Sequence, residues 1–155
     1  MDKREKAVLF VCTGNSCRSQ MAEGYMKEVL KNINKMDVIV YSAGLAAYEG
    51  SSPSAHAIQV LSDVALDISG NKAKPVTGAL VEASDIILGM TWSHVRELEE
   101  RFPESKKKIY LLREFEENHN PKDPDVFDPI GLPMHAYENC FELMKPAIEK
   151  VADII

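Results

Sequence analysis

The sequence predicts an α/β fold: a single-domain, three-layer arrangement in which helices cover both faces of a four-stranded parallel sheet. Three observations carry this expectation. Short apolar runs rich in β-branched and aromatic residues recur at 7–11, 38–42, 85–90 and 107–112. Stretches with apolar residues at helical spacing separate them. The first run also empties into a small polar loop that opens at once into a helix, as happens at the carboxyl end of a strand in such a sheet.

The first strand, Ala7-Val8-Leu9-Phe10-Val11, is apolar at five consecutive positions and is expected to be buried on both faces. The loop after it reads Cys12-Thr13-Gly14-Asn15-Ser16-Cys17-Arg18-Ser19. A thiol followed after five residues by an arginine suits a cysteine phosphatase. Loop N–H groups and the helix N-terminus would wrap an anion, with Cys12 at the bottom and the positive partial charges favouring its thiolate. Thr13, Gly14, Asn15, Ser16, Cys17 and Ser19 complete that phosphate-binding loop. Arg18 brings a planar fork for two equatorial phosphoryl oxygens. Cys-x5-Arg alone recurs by chance; the strand, the Gly-Asn turn, the serine after the arginine and the helix give it weight. No Gly-Lys-Ser/Thr follows, which excludes a nucleotide P-loop.

The first helix spans about 18–33, with Met21, Tyr25, Val29 and Leu30 near one face and Glu23, Lys27, Glu28 and Lys31 elsewhere. The second strand ends at Ser42, and Ala43-Gly44 turns the chain into a loop carrying Tyr48. Ser52-Pro53 predicts a helix start, running to about 65 with Ala57, Val60, Leu61 and Val64 inward. His56 has no further metal-type ligand at useful spacing and belongs on the surface. A turn at 70–75, a short helix at 77–83 and the third strand follow. The next helix runs from about 91 to 102, with His94 in a structural role. After the fourth strand comes an acidic, proline-rich loop, 113–133, too long for a plain connector. The last helix, 134–155, turns Tyr137, Phe141, Met144, Ile148 and Val151 inward, with Cys140 a core thiol. Pro146 should kink this helix or remove one backbone hydrogen bond.

The 155 residues suit one domain, 1–155, large enough to bury roughly two-thirds of the unfolded surface. A net charge of −6 argues against nucleic acid and anionic membranes as partners. No run approaches the ~20 apolar residues of a membrane span, and the start, Met1-Asp2-Lys3-Arg4-Glu5, has no signal-peptide core. A cytoplasmic setting is expected, with the three cysteines reduced. No cofactor or metal is expected.

At Cys12-Thr13-Gly14-Asn15-Ser16-Cys17-Arg18-Ser19, and along essentially the whole chain, the sequence resembles the low-molecular-weight protein tyrosine phosphatases, including their arginine-phosphatase and arsenate-reductase branches. The resemblance implies Cys12 as nucleophile, Arg18 as phosphate clamp and a phosphorylated protein or peptide as substrate, with inorganic phosphate or a similar oxyanion held in the loop. It implies that Ser42 supports the loop and that Tyr48 lines the pocket mouth. Where relatives often carry a histidine that bonds the loop asparagine, this chain has Asn71, which could still reach Asn15. The family's general acid lies in an Asp-Pro-x-Gly stretch before the last helix, here Asp128-Pro129-Ile130-Gly131, with Asp125 as runner-up. The aromatic commonly found after Asp-Pro is Ile130 here, and Phe127 or Trp92 could replace it. Gln20, where tyrosine-directed members have proline, is similar to the arsenate-reductase branch. Ser16 is nearer the threonine of arginine-directed relatives than the bulky aliphatic of tyrosine-directed ones.

Phosphotyrosine-type hydrolysis is therefore expected first and phosphoarginine second. Thioredoxin-coupled arsenate reduction needs two further cysteines after the third strand, and 88–94 has none. A non-catalytic phosphate-binding module would need neither the thiol at 12 nor the acid at 128. Cys17 either traps an oxidised Cys12 as a disulfide or simply packs under the loop.

Overall fold

Strand β1 (Ala7–Cys12) is buried at all six positions. In the computed structural model, which describes residues 5–155, it lies inside the sheet between β2 (Ile39–Gly44) and β3 (Ile86–Gly89). Beyond β3 lies β4 (Ile109–Leu111), giving the order β2-β1-β3-β4 with every pairing parallel. The reading of residues 1–4 as part of a start without a signal core lies outside the described residues.

Alternation along β1 divides the interior into two cores. Val8, Phe10 and Cys12 join the core under α1 (Arg18–Asn32), α2 (Ala55–Ser62) and α5 (Met134–Ile154). Leu9 and Val11 face the core under α3 (Gly78–Ala83) and α4 (Trp92–Arg101). This is the predicted single-domain α/β fold, four parallel strands between two helical layers. From β1 the chain crosses to β2 on one side and later to β3 on the other. The loop after β1 therefore sits at the topological switch point.

Several boundaries differ from expectation. Helix α2 starts at Ala55 with Ser54 as its cap, not at Ser52-Pro53, because Ser54 Oγ accepts the Ala57 N–H at 3.2 Å. It ends at Ser62, so Val64, expected inward, is exposed. Glu23, expected on the polar face of α1, is buried. Two 3-10 turns, Pro103–Lys108 and Leu112–Phe115, flank β4 and shorten it. Helix α5 continues through Pro146, which is exposed, so the carbonyl that loses its partner faces water. A proline inside a helix costs ~3 kcal/mol. Ile148 and Val151 beyond it are fully buried and stabilise by about 1.5–3 kcal/mol each, so packing wins.

Among the described residues no helix is long and apolar enough to cross a membrane.

Candidate active site

The loop leaving β1 is shaped by two backbone demands. Asn15 takes a left-handed conformation (φ 53°), which asparagine tolerates better than most residues. Gly44, at the end of β2, lets the neighbouring chain come against the loop. A Cβ there would lie 2.5 Å from Thr13 O and 2.9 Å from Asn15 N. Leu45 N and Ala46 N donate to Cys12 O and Thr13 O, both at 2.9 Å, and Ser54 N donates to Ser16 O at 2.9 Å. Helix α1 then starts at Arg18, so its N-terminal dipole lies directly under the loop.

A buried hydrogen-bond network holds the loop from beneath. Asn15 Oδ1 accepts the Lys74 N–H at 3.0 Å, which orients the amide. Its Nδ2 donates to Ser19 Oγ at 2.8 Å and to Ser42 Oγ at 3.0 Å. Ser42 Oγ donates onward to Glu23 Oε1 at 2.5 Å, and Lys27 Nζ lies 2.8 Å from Glu23 Oε2. Ser19 Oγ lies 2.9 Å from Cys12 Sγ. Asn71 does not bond the Asn15 side chain, whose polar atoms are already engaged. It donates to Gln20 Oε1 at 3.0 Å, and Gln20 Nε2 donates to the Asn15 carbonyl at 3.2 Å.

Cys12, Thr13, Gly14, Ser16, Cys17 and Arg18 line a cavity of about 120 Å³, closed on the far side by Asp128 and Ile130. Arg18 is buried; its Nη1 donates to Val126 O at 3.0 Å and its Nη2 lies 3.5 Å from Asp128 Oδ2. The loop carrying Asp128 is pinned by Val126 N donating to Met90 O at 2.8 Å. Asp125 is turned away from the cavity lining: its Oδ1 accepts the Trp92 N–H at 2.9 Å. Tyr48, 85% exposed, and Trp92, packed on the α4-side core, do not line the cavity either. Phe127 is also outside that lining.

Two residues placed in structural roles by sequence touch the loop directly. His94 Nε2 lies 2.9 Å from Thr13 Oγ1. Burial first, then the charge of Arg18, lowers its pKa to about 4, so the ring is neutral at pH 7. Tyr137 OH lies 3.7 Å from Cys17 Sγ, which also donates to Ser54 Oγ at 3.4 Å. Cys140 is wholly buried, and burial pushes its thiol up to about 12. All three cysteines are free. Only tertiary structure brings residues 94 and 137 to the loop, so no local signal could have marked them.

The chain resembles known proteins along nearly its whole length. It is 34% identical to a protein-arginine-phosphatase of Geobacillus stearothermophilus over 146 residues, 94% of this chain and 93% of that one. It is 31% identical to a probable low molecular weight protein-tyrosine-phosphatase of Ralstonia solanacearum, covering 93% and 92%. The crystal structure of a low molecular weight protein tyrosine phosphatase from T. tengcongensis superposes with a TM-score of 0.88 at 37% identity, covering 97% and 99%. The family profile described as low molecular weight phosphotyrosine protein phosphatase matches residues 7–155. The chain belongs to that family, and it is a hydrolase of this cysteine-dependent phosphatase kind.

Proposed function

We propose that this chain is a protein phosphatase that hydrolyses phosphotyrosine-type esters through a cysteinyl-phosphate intermediate. The observation that carries the reading is the meeting of Cys12, Arg18 and Asp128 around one small cavity at the N-terminus of α1. Cys12 Sγ attacks phosphorus, forming the S–P bond as the P–O bond to the aryl group breaks. Asp128 gives its proton to the departing oxygen, which a cysteine nucleophile could not otherwise expel readily. Asp128, then ionised, takes a proton from water as that water attacks phosphorus and breaks the S–P bond. Phosphate leaves and the thiolate returns. Arg18 and the helix N-terminus hold the charge of the transferring group. Asp128 is favoured over Asp125 because it borders the cavity and faces Arg18, whereas the Asp125 carboxylate caps α4.

A second reading, phosphoarginine hydrolysis, is supported by Ser16 in the cavity wall and by the similarity to a protein-arginine-phosphatase. Serine leaves room and a hydroxyl where a bulky aliphatic would pack on a phenyl ring. Free thiols also fit a reducing, cytoplasmic setting. Turnover of matched phosphotyrosine and phosphoarginine peptides separates the two readings. Phosphotyrosine should turn over faster, and Ser16→Ile should shift the ratio further toward it. Faster turnover of phosphoarginine would replace the first reading by the second, and a ratio untouched by Ser16→Ile would remove Ser16 as selector.

A further inference from the structure

Arg113 belongs to the 3-10 turn Leu112–Phe115 after β4, outside the loop that follows β1, and is 5% exposed. Its Nε and Nη2 grip the two carboxylate oxygens of Glu116 at 3.2 and 3.1 Å. That fork already gives the buried guanidinium a counter-charge. Its remaining arm does something else. Nη1 reaches twelve residues ahead and donates to the Asp125 carbonyl at 2.8 Å, with Asp123 Oδ1 3.5 Å away.

The next carbonyl, that of Val126, is held by Arg18 Nη1 at 3.0 Å. Two arginines thus grip consecutive carbonyls of one loop segment, Arg113 from the β4 side and Arg18 from the cavity side. Asp128 lies two residues further on. Its side chain is 46% exposed, and besides approaching Arg18 its Oδ1 accepts the Ile130 N–H at 3.1 Å in a local turn. A half-exposed carboxyl on a loop keeps a fixed place only if the backbone leading to it is fixed. Displacement of about 1 Å in a catalytic group can cost on the order of 10²-fold in rate.

We propose that Arg113 is a positioning residue for the general acid: by clamping the Asp125 carbonyl it sets where the Asp128 carboxyl stands at the cavity. This rests on the reading of Asp128 as the proton donor. A residue that served only the fold would act on all substrates alike. One that acts through Asp128 must act in proportion to the leaving group's need for a proton.

The test is the dependence of kcat/KM on leaving-group basicity, from 4-nitrophenyl phosphate to unsubstituted phenyl phosphate. It is measured for wild type, Arg113→Gln, Arg113→Lys, Asp128→Asn and the Arg113→Gln/Asp128→Asn pair. Arg113→Gln should slow phenyl phosphate on the order of tenfold or more while largely sparing 4-nitrophenyl phosphate. Arg113→Lys, which keeps the charge but loses the fork, should fall between. In the Asp128→Asn background the Arg113 change should add nothing. If Arg113→Gln does not fold, Arg113→Lys carries the comparison at smaller amplitude. A uniform loss across the series, a further loss in the Asp128→Asn background, or no loss at all would overturn the inference. If Asp128→Asn itself leaves the leaving-group dependence unchanged, the proton-donor reading fails instead. Steepening in Asp128→Asn without any in the Arg113 variants overturns the positioning role alone.

Discussion

Ser19 Oγ lies 2.9 Å from Cys12 Sγ, and once Cys12 is a thiolate only the serine has a proton to donate. Asn15 Nδ2 donates to Ser19 Oγ, and the orientation of that amide is set by the Lys74 N–H on its oxygen. The Ser19 hydroxyl hydrogen is therefore available to the sulfur. A hydrogen bond to a charged group contributes about 1.5–3 kcal/mol. Ser19→Ala should then lower kcat/KM, and the rate at which iodoacetamide alkylates Cys12, by roughly 10- to 100-fold. An unchanged alkylation rate would show that the hydroxyl points elsewhere.

Gly44 makes a second prediction. The atoms that an added Cβ would meet, Thr13 O and Asn15 N, are backbone and cannot rotate aside. Gly44→Ala should cost about 1–3 kcal/mol, the usual range for overpacking, and should lower turnover because the displaced atoms belong to the phosphate loop. Gly78→Ala, where nothing lies within 4 Å, serves as the control and should be neutral or slightly stabilising in urea denaturation. Equal midpoints for the two variants would contradict the close approach.

These two residues mark the limit of what the sequence could disclose. Cys12, Arg18 and Ser19 are legible because loop, strand and helix are contiguous and the chemistry fixes their spacing. The unbroken apolar run of β1 and the apolar runs after it make the sheet legible too. Gly44, by contrast, looks like an ordinary turn glycine until the register pairs it with Cys12. Glu23 looks like a surface carboxylate until Ser42, nineteen residues away, places a hydroxyl on it. The resemblance places Tyr48 at the pocket mouth and offers Trp92 as a substitute aromatic, but one is exposed and the other packs on the α4-side core. Ser52-Pro53 mimics the start of α2, whose cap is Ser54 two residues later.

His94 predicts a pH-dependent stability. Its pKa is lowered from 6.5 to about 4 in the folded chain, so between these values the unfolded chain binds the extra proton. The stability of the folded state is therefore complete above pH 6.5 and falls as pH drops toward 4. The loss from this residue amounts to about 3 kcal/mol. His94→Gln, which cannot titrate, should flatten that part of the stability curve in urea titrations at a series of pH values. The same slope in both proteins would assign it to other groups.

Cys17 lines the same cavity as Cys12, which makes it a candidate to trap oxidised Cys12. Peroxide would convert the Cys12 thiolate to a sulfenic acid, and the Cys17 thiol would displace water to give a disulfide that dithiothreitol reduces. Wild-type activity should return after reduction, while Cys17→Ala should stay largely inactive because its sulfenic acid proceeds to sulfinic acid. Equal recovery would leave Cys17 as a packing thiol beside Ser54 and Tyr137.

If Cys12 carries the phosphoryl group from ester to water, a cysteinyl phosphate can be trapped. In Asp128→Asn, 4-nitrophenyl phosphate should still phosphorylate the enzyme, because its leaving group needs little protonation, while hydrolysis of the intermediate slows. Acid quench within the first turnovers, followed by peptide mass spectrometry, should place one phosphoryl group on the peptide containing Cys12, and none in the Cys12→Ser/Asp128→Asn pair. A phosphoryl group on another residue, or full turnover by Cys12→Ser, would mean that Cys12 is not the nucleophile.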